Sequence, residues 1–76
     1  MKRTVYTVRA CRWGDADNHS YIVGVYPTEQ TALKAADIEE EWRGGKYECE
    51  IQEWTVGEGI EGREVKAKII KALKGR

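Results

Sequence analysis

Cys11, Asp15, Asp17, His19 and Cys49 are the side chains of types that hold metals or act as nucleophiles. Their spacing matches neither the C-x-x-C nor the H-x-x-x-H pairing of a zinc site. Asp15-Ala16-Asp17-Asn18-His19 opens like a calcium loop. Its sixth position is Ser20 instead of glycine, and its twelfth is Tyr26 instead of a bidentate glutamate. The expectation is a polar loop in water, with no metal and no cofactor. His19 has Ser20 beside it in sequence, but neighbours on a strand point to opposite faces, so the pair is not a catalytic dyad. Glu48 and Glu50 share a face. Paired carboxylates do acid–base work only in a pocket that moves one pKa, and Arg9 is the expected cross-strand partner instead. Glu39-Glu40-Glu41 reads as a wet helical face. No catalytic residue is assigned, and the chain is not expected to be an enzyme.

The size agrees with this. Seventy-six residues make one domain at most. A small-molecule pocket of ~300 Å³ would use much of so small a core. No stretch approaches the ~20 apolar residues of a membrane span. The basic start Met1-Lys2-Arg3 has no apolar run after it, so no signal peptide is read and the expected compartment is the cytoplasm. Two cysteines are too few for a disulfide scaffold.

Val5 to Trp13 is rich in β-branched and aromatic residues and reads as a first strand, ending in Gly14-Asp15-Ala16-Asp17-Asn18. Tyr21 to Tyr26 reads as a second, joined to the first as a hairpin. Pro27 stops it. Thr28 is placed to cap a helix that runs to about Arg43 and ends at Gly44-Gly45. Thr31, Ala35, Ile38 and Trp42 form that helix's expected apolar stripe, flanked by Ala32 and Ala36. Lys46 to Val56 alternates as a third strand. Gly57 to Arg63 reads as a glycine-rich linker. Residues 64–76 then read as a basic amphipathic helix with Val65, Ile69, Ala72 and Leu73 on its apolar side.

The order is ββαβα, an α+β fold. A right-handed crossover gives a three-stranded antiparallel sheet of order 2-1-3. The first helix should cover Tyr6, Val8, Val23, Val25, Cys49 and Ile51. The opposite face should carry Thr7, Arg9, Cys11, Trp13, Ile22, Tyr26, Glu48, Glu50 and Trp54. Residues 1–56 form the expected core, 57–63 the linker and 64–76 the tail helix.

The run Val5-Tyr6-Thr7-Val8, then Val23-Gly24-Val25-Tyr26-Pro27-Thr28-Glu29, an alanine-rich helix, and Tyr47-Glu48-Cys49-Glu50-Ile51-Gln52-Glu53-Trp54 resembles a widespread set of short ββαβ proteins of unknown function. Many of these belong to bacteriophages and their bacterial hosts. The resemblance covers about residues 4–56. It implies a phage or bacterial origin and the behaviour of a small module, and it carries no functional residues.

Two surfaces remain as candidates. The uncovered sheet face would gather Arg9, Trp13, Tyr26 and Trp54, and large exposed aromatics mark interfaces. The tail is basic: residues 1–63 hold 8 Lys/Arg against 12 Asp/Glu, and residues 64–76 hold 5 against 1. Lys66, Lys68, Lys71 and Lys74 would present that charge to phosphates or to the acidic body. The leading expectation is a protein-interaction module, such as an anti-CRISPR-like inhibitor of a host or defence protein. The alternatives are a nucleic-acid accessory protein using the tail and the aromatic face, and a structural homodimer. No small-molecule substrate and no membrane partner are expected.

Overall fold

The computed structural model describes residues 3–15, 18–56 and 67–73. Along them run β1 (Thr4–Arg12), β2 (Ser20–Tyr26), the helix α1 (Glu29–Trp42), β3 (Tyr47–Thr55) and β4 (Lys68–Lys71). The strands form one antiparallel sheet of order β2-β1-β3-β4. The chain is therefore α+β, with its first three strands in the expected order.

The C-terminal segment departs from expectation. Lys68–Lys71 is a fourth strand beside β3, with Lys71 opposite Ile51 and Lys68 opposite Glu53. Ile69 and Ile70 are both β-branched, which lowers helix propensity and suits a pleated surface. A lone helix of about ten residues is marginal in water. Strand pairing also gives the outer backbone groups of β3 partners that a detached helix would leave wanting. The expected linker, Lys66 and Lys74 lie outside the described residues.

The helix starts where its chemistry says it should. Thr28 Oγ1 accepts from the Thr31 N–H at 3.2 Å. At the other end the Gly44 N–H reaches the Glu41 carbonyl at 3.0 Å and the Gly45 N–H the Glu40 carbonyl at 3.2 Å. This paired closure requires a left-handed residue after the cap, and Gly44 supplies it at φ 66°.

The buried side of α1 is not the expected stripe. Ala32 and Ala36 are fully buried, whereas Ile38 is 57% and Trp42 75% exposed. The face continues through Glu39, Glu40 and Arg43 at helical spacing, and these make polar contacts to the sheet. Small alanines let the helix axis approach a sheet whose own side chains, Val8 and Ile51 with Tyr21 and Tyr47 at the border, fill the gap. Glu39 and Glu40 are half-buried and bonded, so they do not form the wet face expected of them; Glu41 is exposed.

The core is Val8, Ala10, Ala32, Ala36, Cys49 and Ile51. The molecule's thinnest extent is 16 Å, room for one sheet and one helix layer. On the other face of the sheet Ile22, Val25 and Ile69 of the edge strands are exposed, while the residues of β1 and β3 are half-buried or buried.

Candidate functional site

Register decides which side chains stand on that outer face. Along β1 and β3, Val5 faces Trp54, Thr7 faces Gln52, Arg9 faces Glu50 and Cys11 faces Glu48, all on the side away from α1. On β2 the register slips. Gly24 lies opposite Val8 and Ile22 opposite Arg9, so Val23 is an extra residue. The bulge reverses the strand's phase. Val25, expected under the helix, is 60% exposed on the outer face. Tyr26, expected on the outer face, packs instead against the core. Its ring lies over Gly24: a Cβ there would come within 2.7 Å of the Tyr26 hydroxyl. An isolated glycine inside a strand is the sequence signal of such a bulge or close approach.

The outer face thus carries exposed aliphatics on its two edge strands and, between them, polar side chains of β1 and β3 with two that are pinned, Trp54 and Arg9. Ile22, Val25 and Ile69 are 59%, 60% and 47% exposed. The Trp54 indole N–H donates to Thr7 Oγ1 at 2.9 Å. Arg9 stretches across the sheet, donating to Ser20 Oγ at 2.9 Å and lying 3.9 Å from Glu50. That ion pair is half-buried and long, so it contributes little to stability, but with the Ser20 bond it ties the guanidinium to both neighbouring strands. At the far end Cys11 and Glu48 are buried. A pinned tryptophan and arginine among aliphatics can bury area against a protein with little loss of side-chain entropy.

Of the other expected site residues, Trp13 sits one position beyond β1, its N–H bonded to the Lys46 carbonyl at 3.0 Å. With Arg12, Gly45 and Lys46 it borders a shallow hollow of about 290 Å³ at the sheet's end. Lys68 is exposed on β4, while Lys71 is committed to α1. The four residues expected to share one interaction face are therefore divided: Arg9 and Trp54 belong to it, Tyr26 to the opposite face, and Trp13 to the rim.

Two polar anchors join α1 to the sheet; sequence reasoning missed the first, and of the second it foresaw only that tail lysines could meet the acidic body. In the first, the Tyr21 hydroxyl donates to Glu39, and Arg43 Nε donates to both the Tyr21 hydroxyl at 2.9 Å and Glu39 at 3.2 Å. The Arg43 guanidinium stacks within 5.1–5.4 Å of the rings of Tyr21, Trp42 and Tyr47. In the second, Glu40 accepts the Cys49 backbone N–H at 2.7 Å and the Lys71 ammonium at 2.9 Å. The signal was available. Glu39, Glu40 and Arg43 continue the Ala32–Ala36 face at i+7, i+8 and i+11, the spacing by which a helix meets a sheet.

The reactive groups are held quiet. Burial, then the Glu40 charge, pushes the Cys49 thiol up to about 11, and burial raises Cys11. The two cysteines lie on opposite faces of the sheet and are both free. His19 Nε2 lies 3.2 Å from Asp15 at the exposed hairpin end, while the neighbouring Ser20 hydroxyl is engaged by Arg9. Among the described residues no three His, Cys, Asp or Glu side chains cluster as metal ligands, and no helix is long and apolar enough to cross a membrane. No protein-family model matches the chain, and no curated protein or solved structure matches it.

Proposed function

We propose that the chain is a non-enzymatic protein-interaction module that docks a protein partner on the outer sheet face. The observation that carries this reading is the pinned pair Trp54 and Arg9 set among exposed Ile22, Val25 and Ile69. The resemblance over residues 4–56 supports a phage or bacterial setting. There a small inhibitor of a host or defence protein, on the anti-CRISPR pattern, is the class that fits a chain working by surface complementarity. The nucleic-acid reading loses ground on one point: Lys71, counted in the basic tail, is neutralised by Glu40.

The test is capture from bacterial lysate on immobilised chain, in parallel with Trp54→Ala and Arg9→Ala. One specific protein should be held by the native chain, and Trp54→Ala should weaken it by about 2 kcal/mol, roughly thirty-fold, as for a central aromatic anchor. Equal capture by native chain and both variants removes the reading. So does micromolar binding of labelled single-stranded DNA that falls steeply with salt.

A further inference from the structure

Among the described residues no strand lies beyond β2, and none of them gives the outward backbone groups of Ser20–Tyr26 a ladder partner. The strand carries no charged residue. From Tyr21 to Tyr26 its flanking positions read alike from either end: Tyr21 matches Tyr26 and the aliphatic Ile22 matches Val25, while Val23 and Gly24 differ at the centre.

The bulge makes the facing symmetric as well. Tyr21, Val23 and Tyr26 turn to the core. Gly24 lies under the Tyr26 ring on that same side. Ile22 and Val25 stand on the outer face. From Tyr21 to Tyr26 the faces run core, outer, core, core, outer, core. Consider a second copy laid antiparallel along this edge, about a two-fold axis normal to the sheet and midway between Val23 and Gly24. Every residue then meets one on its own face: Tyr21 beside Tyr26, Ile22 beside Val25, Val23 beside Gly24. Slipping the register by one or two residues sets an outer-face side chain against a core-face one, because the alternation breaks at the bulge.

We propose that β2 is a self-pairing edge, joining two copies into one continuous sheet in this single register. A two-fold interface needs a patch complementary to itself, and a strand symmetric in facing, with tyrosine and aliphatic residues repeated on either side of its centre, supplies one. The opposite edge does not. Self-pairing of β4 sets Lys68 against Lys71 at both ends, and pairing β4 with β2 offers its lysines no acid. A six-residue ladder is a small interface, so the dissociation constant is expected on the order of micromolar. The pairing uses an edge and not the outer face, so it stands whether or not the proposed function does. It would set two outer faces side by side.

Sedimentation velocity of the purified chain from about 1 to 500 μM tests it, a range that brackets a micromolar constant. Native chain should pass from monomer to dimer. Ile22→Lys/Val25→Lys opposes two lysine pairs across the axis and should keep the protein monomeric throughout. Ile22→Lys/Val25→Glu sets lysine beside glutamate at both ends and should restore the dimer, weakening as salt rises. Both positions are exposed, so far-UV circular dichroism and the unfolding midpoint should hold. Independently, native amides of Tyr21–Tyr26 should exchange more slowly as concentration rises. A native chain that stays monomeric overturns the proposal. So does a dimer that survives the double lysine variant, one that the lysine–glutamate pair fails to restore, or exchange in β2 that ignores concentration.

Discussion

The sheet ends on β2 at one side and on β4 at the other, and the two edges share more than position. Each carries a register slip against its inner neighbour, at Val23 in one and at Ile70 in the other. Each is near-palindromic, Tyr-Ile-Val-Gly-Val-Tyr against Lys-Ile-Ile-Lys. They differ in what flanks the aliphatic middle. Tyrosines on β2 pack inward and leave the edge neutral. On β4 the flanking residues are lysines, Lys71 held by Glu40 and Lys68 exposed, and the strand is only four residues long. Short length and lysine are among the devices by which edge strands escape pairing with another chain, as are bulges, which both edges carry. The place of the bulge separates them as well: β4 runs core, outer, core, core, so a reversed copy sets outward Ile69 against inward Ile70, whereas the facing of β2 is symmetric.

The edges also differ in how they are tied to the body. β4 is held from above by Glu40, which bonds the Cys49 N–H on β3 and Lys71 on β4 at once. Glu40→Ala leaves a donor in the sheet without its carboxylate and frees Lys71. The expected loss is about 2 kcal/mol, the range of hydrogen bonds to a charged group, with amide exchange accelerating in β4 before β2. Urea unfolding with residue-resolved exchange checks this. Uniform acceleration across both edges would show that the anchor serves the whole sheet. Glu40→Gln separates charge from hydrogen bond. Native Cys49 favours its protonated thiol, so that contribution to stability is full below the ordinary 9.0 and is lost as pH climbs towards about 11. Burial is the first cause and Glu40 the second, so the glutamine variant should keep the sign and complete the loss at lower pH.

Much of this molecule is legible in its sequence, and the failures have physical causes. Thr28, Pro27 and Gly44-Gly45 mark the helix correctly because capping is local chemistry. The order β2-β1-β3 follows from crossover handedness, which is topological. What failed depended on partners far along the chain. Lys68–Lys71 has the composition of a poor helix or a short strand, and only an open β3 edge decides between them. Ile38 and Trp42 look like a buried stripe until the sheet's bulk and the reach of Glu39 and Glu40 turn the helix onto its alanines. On the outer face Arg9 and Trp54 were legible from alternation in unbroken strands. Tyr26 was not, because one extra residue at Val23 reverses everything after it.

That reversal makes Gly24 the hinge of the β2 edge. Gly24→Ala places a methyl 2.7 Å from the Tyr26 hydroxyl, so the ring must swing off the strand. The expected cost is about 1–2 kcal/mol, the range for forcing extra volume into packed surroundings. With Tyr26 displaced, the facing pattern loses its symmetry, and self-association should weaken together with the unfolding midpoint. A variant that destabilises yet dimerises as tightly as native would show that backbone pairing alone sets the edge, with the tyrosines incidental.

The smallest change sharpens the comparison most. Lys71 is held by Glu40, so Lys68 is the exposed charge of β4. Lys68→Thr replaces it with a strand-favouring neutral residue and should move stability by less than ~0.5 kcal/mol, as surface substitutions do. It also removes the like-charge opposition between two β4 edges. In the Ile22→Lys/Val25→Lys background, where β2 is blocked, Lys68→Thr should still leave the protein monomeric in sedimentation, because two reversed β4 strands set outward Ile69 against inward Ile70. Self-association appearing there at the highest concentrations would instead make the Lys68 charge the guard of this edge, over its facing and over its four-residue length, which gains little to offset the loss of freedom on association.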